Sequence, residues 1–155
     1  TPEAIASLLA RVRSVAVLGI KTEAQHDQPA FYVPQYAQGA GLRIIPVPVY
    51  YPEATTILGQ PVYRSLSAIG ERVDLVNVFR KSADVPAHLP DLLAARPGAV
   101  WLQSGIRHDE AAAQLLAAGI DVVQARTGAR LRIARDRRER VADDVGATRE
   151  FSLSR

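Results

Sequence analysis

Ser104, His108 and Asp109 stand close together in the chain, and a hydroxyl, an imidazole and a carboxylate are the ingredients of nucleophilic catalysis. Their spacing argues against that use. No Gly-x-Ser-x-Gly elbow surrounds Ser104, and a triad needs its base oriented by a buried acid. The competing reading is a helix start, in which Asp109 and Glu110 complement the dipole of an alanine-rich helix. His26, His88 and His108 are isolated from one another and lack metal-ligand spacing on one helix. With no cysteine there is no thiolate ligand, no thiol nucleophile and no disulfide. We therefore assign no catalytic and no metal-binding residue. Arg80, Lys81 and Ser82 offer another chemistry, since two adjacent cations at the end of an apolar run suit a phosphate. The same pair could equally be solvated charges.

The elements that must position these groups follow from patterning. Thr1, Pro2 and Glu3 read as a helix start, with Ile5, Leu8, Leu9 and Val12 as the apolar stripe. Residues 14–19, 42–47, 73–79, 99–102 and 120–123 are short runs with nearly every position apolar, as in strands covered on both faces. Helices are expected over 29–40, 86–95 and 109–118, with a short one near 66–69 and an irregular loop over 48–60. Five strands alternating with helices predict an α/β fold: one Rossmann-like, doubly wound domain with a mainly parallel sheet and helices on both faces. The right-handed crossover rule leaves few topologies, of which 3-2-1-4-5 is the expected order. That places the domain at residues 1–125 and leaves 126–155 as a basic tail.

The net charge of +3 belongs to that tail. Residues 1–125 carry ten Lys/Arg against eleven Asp/Glu, whereas residues 126–155 carry nine against five. The tail's arginines are interleaved with Asp136, Glu139, Asp143 and Asp144, which favours a solvated helix or a flexible end over a nucleic-acid arm. No apolar run approaches the roughly 18 residues of a membrane span, and the amino end does not read as a signal peptide, so a cytoplasmic location is expected.

Ligands of open α/β sheets bind at the carboxyl ends of the strands. The first strand ends at Gly19, but neither G-x-G-x-x-G nor the G-x-x-x-x-G-K-[ST] loop follows it. A longer loop could still cradle a pyrophosphate, with Lys21 and Thr22 nearby. The second strand ends in Pro46-Val47-Pro48-Val49, without the acid that holds the ribose of NAD. Two independent NAD signals are thus missing. The fourth strand breaks off at Gln103-Ser104-Gly105, a polar wall at the expected site.

Five segments carry a resemblance: Val15-Ala16-Val17-Leu18-Gly19, Tyr32-Val33-Pro34-Gln35-Tyr36, Ile45-Pro46-Val47, Val73 to Arg80, and Trp101 to His108. In their order and spacing the chain, from residue 3 to about 124, resembles the small stand-alone CoA-binding proteins of bacteria and archaea. Their domain is related to the CoA-binding domains of the succinyl-CoA synthetase alpha subunit and of NDP-forming acyl-CoA synthetases. The resemblance implies a coenzyme A nucleotide lying across the strand ends. Gly19, Ile20, Lys21 and Thr22 would take the phosphates, and Val47 and Pro48 would border the adenosine. Phe79, Arg80 and Ser82 would line the middle, and Gln103, Ser104 and Gly105 would flank the pantetheine arm. The chain departs from the family pattern in having Pro48-Val49 where an Asn-Pro is usual, and in its first loop. The implied function is binding of CoA or acyl-CoA without autonomous catalysis, as a carrier, sensor or regulatory module. The alternative is a ligand-free protein-interaction subunit that keeps the fold.

Overall fold

The computed structural model describes residue 7 and residues 10–103, 105–126, 130–135 and 138–140. Most of the expected amino-terminal helix lies outside the described residues, although Ser7 and Ala10 are helical. In chain order the elements are β1 (Ser14–Leu18), α1 (Pro29–Gly39), β2 (Arg43–Val47), β3 (Thr56–Ile57), β4 (Gln60–Pro61) and β5 (Leu75–Val78). There follow α2 (Val85–Ala95), β6 (Ala99–Leu102), α3 (Asp109–Ala117), β7 (Asp121–Arg126), β8 (Arg130–Arg135) and β9 (Arg138–Arg140). β3 and β4 form a small separate hairpin that, except for Pro61, falls in the segment expected to be irregular.

Strands β2, β1, β5, β6 and β7 lie side by side in parallel, and β8 and β9 extend that sheet antiparallel from β7. The α/β, Rossmann-like class is as expected. The strand order is not. Numbering only the five parallel strands, it is 2-1-3-4-5 rather than 3-2-1-4-5. Chain handedness permits both, and composition decides between them. β2 contains Pro46, which has no N–H for a second ladder, so β2 belongs at an edge. β5 is buried at all four positions and takes the place between β1 and β6. In the tail, where a solvated helix or a flexible end was expected, residues 130–135 and 138–140 form strands.

Period-two alternation sorts the strands' side chains onto two faces. Val15, Val17, Leu75, Trp101 and Val123 pack with Phe31, Val33 and Ala37 of α1. Ala16, Leu18, Val76, Val78, Val100 and Leu102 pack with Val85, Leu89 and Leu92 of α2 and Ala111 and Leu115 of α3. Each fully buried aliphatic side chain contributes about 1.5–3 kcal/mol, so these two cores hold the sheet rigid beneath its ends.

The amino end of the sheet is closed by Asp74. Its carboxylate accepts from the backbone N–H groups of Arg13 (2.7 Å) and Ser14 (3.0 Å), and its own N–H donates to the Ser14 hydroxyl (3.0 Å). Burial pushes this carboxyl up, but the bonds from Ser14 and Arg13 outweigh it and hold it below the usual carboxylate value.

Candidate functional site

The sheet's direction of winding reverses at β1, which has β2 on one side and β5 on the other. Such a switch point opens a crevice at the carboxyl ends of the strands. Here it is drawn tight by Gly19, whose φ of 87° suits glycine. The Gly19 N–H donates to the Val47 carbonyl (2.9 Å) and the Phe79 N–H to the Leu18 carbonyl (2.9 Å). A Cβ at Gly19 would run into the Phe79 carbonyl oxygen and come within 3.1 Å of the Arg80 side chain.

Beyond Gly19, the Lys21 N–H donates to the Ala30 carbonyl (3.2 Å), folding the loop back onto the first turn of α1. Between that turn, the Phe79–Ser82 segment and the end of β6 lies a cavity of about 650 Å³. Of the residues expected at a site, Lys21, Phe79, Arg80, Ser82, Gln103 and Gly105 line it. Gly19, Ile20, Thr22, Val47 and Pro48 are not on its wall. Ile20 and Val47 are buried in the two cores. Thr22 is occupied in a capping turn, with its N–H and hydroxyl both donating to Gln25 Oε1 (3.1 and 2.8 Å). Ser104 lies outside the described residues.

Sequence reasoning missed the contribution of α1: Gln28, Pro29, Ala30 and Val33 form one wall, joined by Lys81 and Ile106. The signal was available, because Pro29 marks the first helical turn and the helix after the first strand is the usual anion seat.

The wall carries three cations, Lys21, Arg80 and Lys81, and no carboxylate. Arg80 is fixed by groups from three segments. Its Nε donates to His88 Nε2 of α2 (3.2 Å), and its guanidinium pairs with Asp84 (3.5 Å). The same guanidinium stands over the Tyr50 ring, 5.5 Å from the centroid, a cation–π distance. His88 must be neutral to accept that bond, and burial together with the Arg80 charge lowers its pKa below the ordinary value. The Tyr50 loop is itself clamped. Arg64 donates to the carbonyls of Tyr50, Tyr51, Pro52 and Ala54 at 2.8–3.2 Å, holding Tyr51 at a φ of 63°.

On the β6 side, the Ser82 hydroxyl accepts from the Arg107 N–H (2.9 Å), tying the two strand-end loops together. His108 is the N-cap of α3, its Nδ1 accepting from the Ala111 N–H (3.1 Å). Asp109 pairs with Arg107 (2.8 Å) and accepts from Gln124 (3.0 Å) rather than orienting His108. The helix-start reading of this stretch therefore holds for the described residues. Among them, no group of three or more His, Asp or Glu could hold a metal ion, and no helix is long and apolar enough to cross a membrane.

A parallel sheet reversing at β1, with a cation-lined cleft over its carboxyl edge, defines a Rossmann-like α/β domain. Residues 13–130 match the CoA binding domain family, and the chain belongs to that family. It is 33% identical to the uncharacterized protein YneT of Bacillus subtilis strain 168 over 119 residues, covering 77% of this chain and 84% of that one. A solved structure from Thermus thermophilus (cell-free ID.343) shares 39% identity with a TM-score of 0.72, over 80% of this chain and 90% of that chain. The dinucleotide-forming acetyl-coenzyme A synthetase 1 of Ca. Korarchaeum cryptofilum, solved with phosphate and ADP, shares the fold at 16% identity and a TM-score of 0.61. That likeness spans 71% of this chain and 25% of the synthetase.

Proposed function

We propose that this protein binds coenzyme A or an acyl-CoA in the cavity above β1, β5 and β6, and carries out no chemistry on it alone. It would act as a carrier, sensor or regulatory module of CoA metabolism. One observation carries this reading: a wall with three cations and no carboxylate, interrupted by apolar surface from Pro29, Ala30, Val33, Phe79 and Ile106. The polyanionic phosphates of CoA suit Lys21, Arg80 and Lys81 beside the amino end of α1, where the helix dipole favours negative charge. The pantetheine arm suits the strip formed by Phe79, Gln103, Gly105 and Ile106. NAD fits less well, because the wall offers no acid for its ribose hydroxyls.

Calorimetric titration with CoA, acetyl-CoA, NAD and ATP tests the proposal. Saturable binding of a CoA species, weakening as salt is raised, is the expected result. Absence of heat with every CoA species, or tighter binding of NAD, would overturn it. The departure at Pro48-Val49 favours one competing reading, a protein-interaction subunit with a vacant cleft. Native mass spectrometry of the purified protein separates the two, since retained CoA contradicts vacancy.

A further inference from the structure

The middle of β5 holds a residue that the core does not explain. Asn77 is 0% exposed, set between Val76 and Val78 on a strand that is otherwise apolar. It lies in register with Val17 of β1 and Trp101 of β6, so it belongs to the face that carries α1. Gln103 follows Trp101 by two residues and returns to the same face at the floor of the cavity, where it is 8% exposed. The two amides meet: Gln103 Nε2 donates to Asn77 Oδ1 at 2.9 Å, in a buried setting. Asn77 Nδ2 has no partner. A buried amide half unsatisfied inside a sheet is costly, and a leucine there would pack without that cost.

We propose that Asn77 is a positioning residue for ligand recognition, acting through Gln103. With one Nε2 N–H donated to Asn77, the nitrogen end of the Gln103 amide is turned towards β5 and Oε1, an acceptor, is left for the cavity. An acceptor fixed at the apolar end of the cleft selects a ligand that brings an N–H donor there. Resting on the CoA reading above, that donor is an amide N–H of the pantetheine arm. Asn77 thus holds the Gln103 amide in place for the ligand, although it does not touch the ligand.

The test uses the whole chain and two ligands, CoA and adenosine 3′,5′-bisphosphate, which has phosphates and base but no arm. Asn77→Leu should weaken CoA roughly three- to tenfold, the worth of one hydrogen bond, and leave the bisphosphate unchanged. Asn77→Asp, whose Oδ1 still accepts from Gln103, should keep the wild-type preference for CoA, and it serves if the leucine variant folds poorly. Adding Asn77→Leu to Gln103→Leu should cost nothing further, because the first residue works only through the second. Equal weakening of both ligands, no weakening of CoA, or full additivity in the double variant would overturn the role of Asn77 and leave CoA binding intact. Failure of the wild-type protein to bind CoA would remove both.

Discussion

The two ends of this sheet are built from similar parts and left in opposite states. At the amino end, Asp74 satisfies the first N–H groups of β1, and Gly98 presses so close that a Cβ would lie 2.7 Å from the Asp74 carbonyl oxygen. At the carboxyl end, Gly19 makes an equivalent approach to the Phe79 carbonyl, but the polar groups around it are not all used. Asn77 Nδ2 and Arg107 Nη1 are the buried side-chain nitrogens without a partner among the described residues. Asn77 belongs to β5 and Arg107 to the loop after β6. Three cations face that cavity, and among the described residues Asp84, at 3.5 Å from Arg80, is the one carboxylate in contact with them. The closed end spends its polar groups within the fold, whereas the open end leaves two buried nitrogens unpaired and lines a cavity with three cations.

Substitutions at the two ends should separate these duties. Gly19→Ala is expected to have the largest effect, because it combines an unfavourable φ with a backbone collision. We expect a loss of about 3 kcal/mol in urea denaturation and, in titration, loss of CoA binding. Asp74→Ala should cost about 1–2 kcal/mol of stability while leaving CoA affinity unchanged. Since the Asp74 pKa is lowered in the folded state, its contribution is complete above the ordinary carboxylate value of 3.8 and is lost as pH falls through the lower folded value. A pH series of melting temperatures on the wild type and the alanine variant checks this.

Arg80→Ala should do the reverse, weakening CoA about tenfold and flattening the salt dependence with a small change in stability. The smallest effect belongs to His88. Its folded pKa lies below 6.5, so the stability it provides is present above pH 6.5 and is lost as pH falls through the lower folded value. An imidazolium there would be desolvated and would face the Arg80 guanidinium, a cost that the carboxylates of Asp91 and Asp84 offset only in part. The wild type should lose melting temperature between pH 7.5 and 5.5, and His88→Asn should flatten that drop.

Much of the closed architecture was legible in the sequence, because apolar runs bounded by Gly and Pro leave few alternatives. Strand order was not read correctly, although Pro46 in the second run was the residue that could have fixed β2 at an edge. The β3–β4 hairpin was also missed. Its turn uses Leu58 and Gly59 at φ values of 52° and 73°, and leucine gives no warning of a left-handed conformation. At the open end, Arg80, Ser82, Gln103 and Gly105 were readable as strand-end residues. Thr22 looked like a phosphate ligand because its role as a cap for Gln25 depends on the local turn. Asn77 looked like one position in a core strand, and only its bond to Gln103 gives it another meaning.

The account stands most directly on where CoA lands. Backbone amide shifts followed by NMR during titration with CoA report both ends of the sheet at once. We predict changes concentrated at Lys21, Ala30, Phe79 to Ser82, Gly105 and Ile106, with Ser14, Asp74 and Gly98 still. Shifts centred on the Asp74 end, or none at saturating CoA, would contradict the assignment of the carboxyl edge as the ligand site.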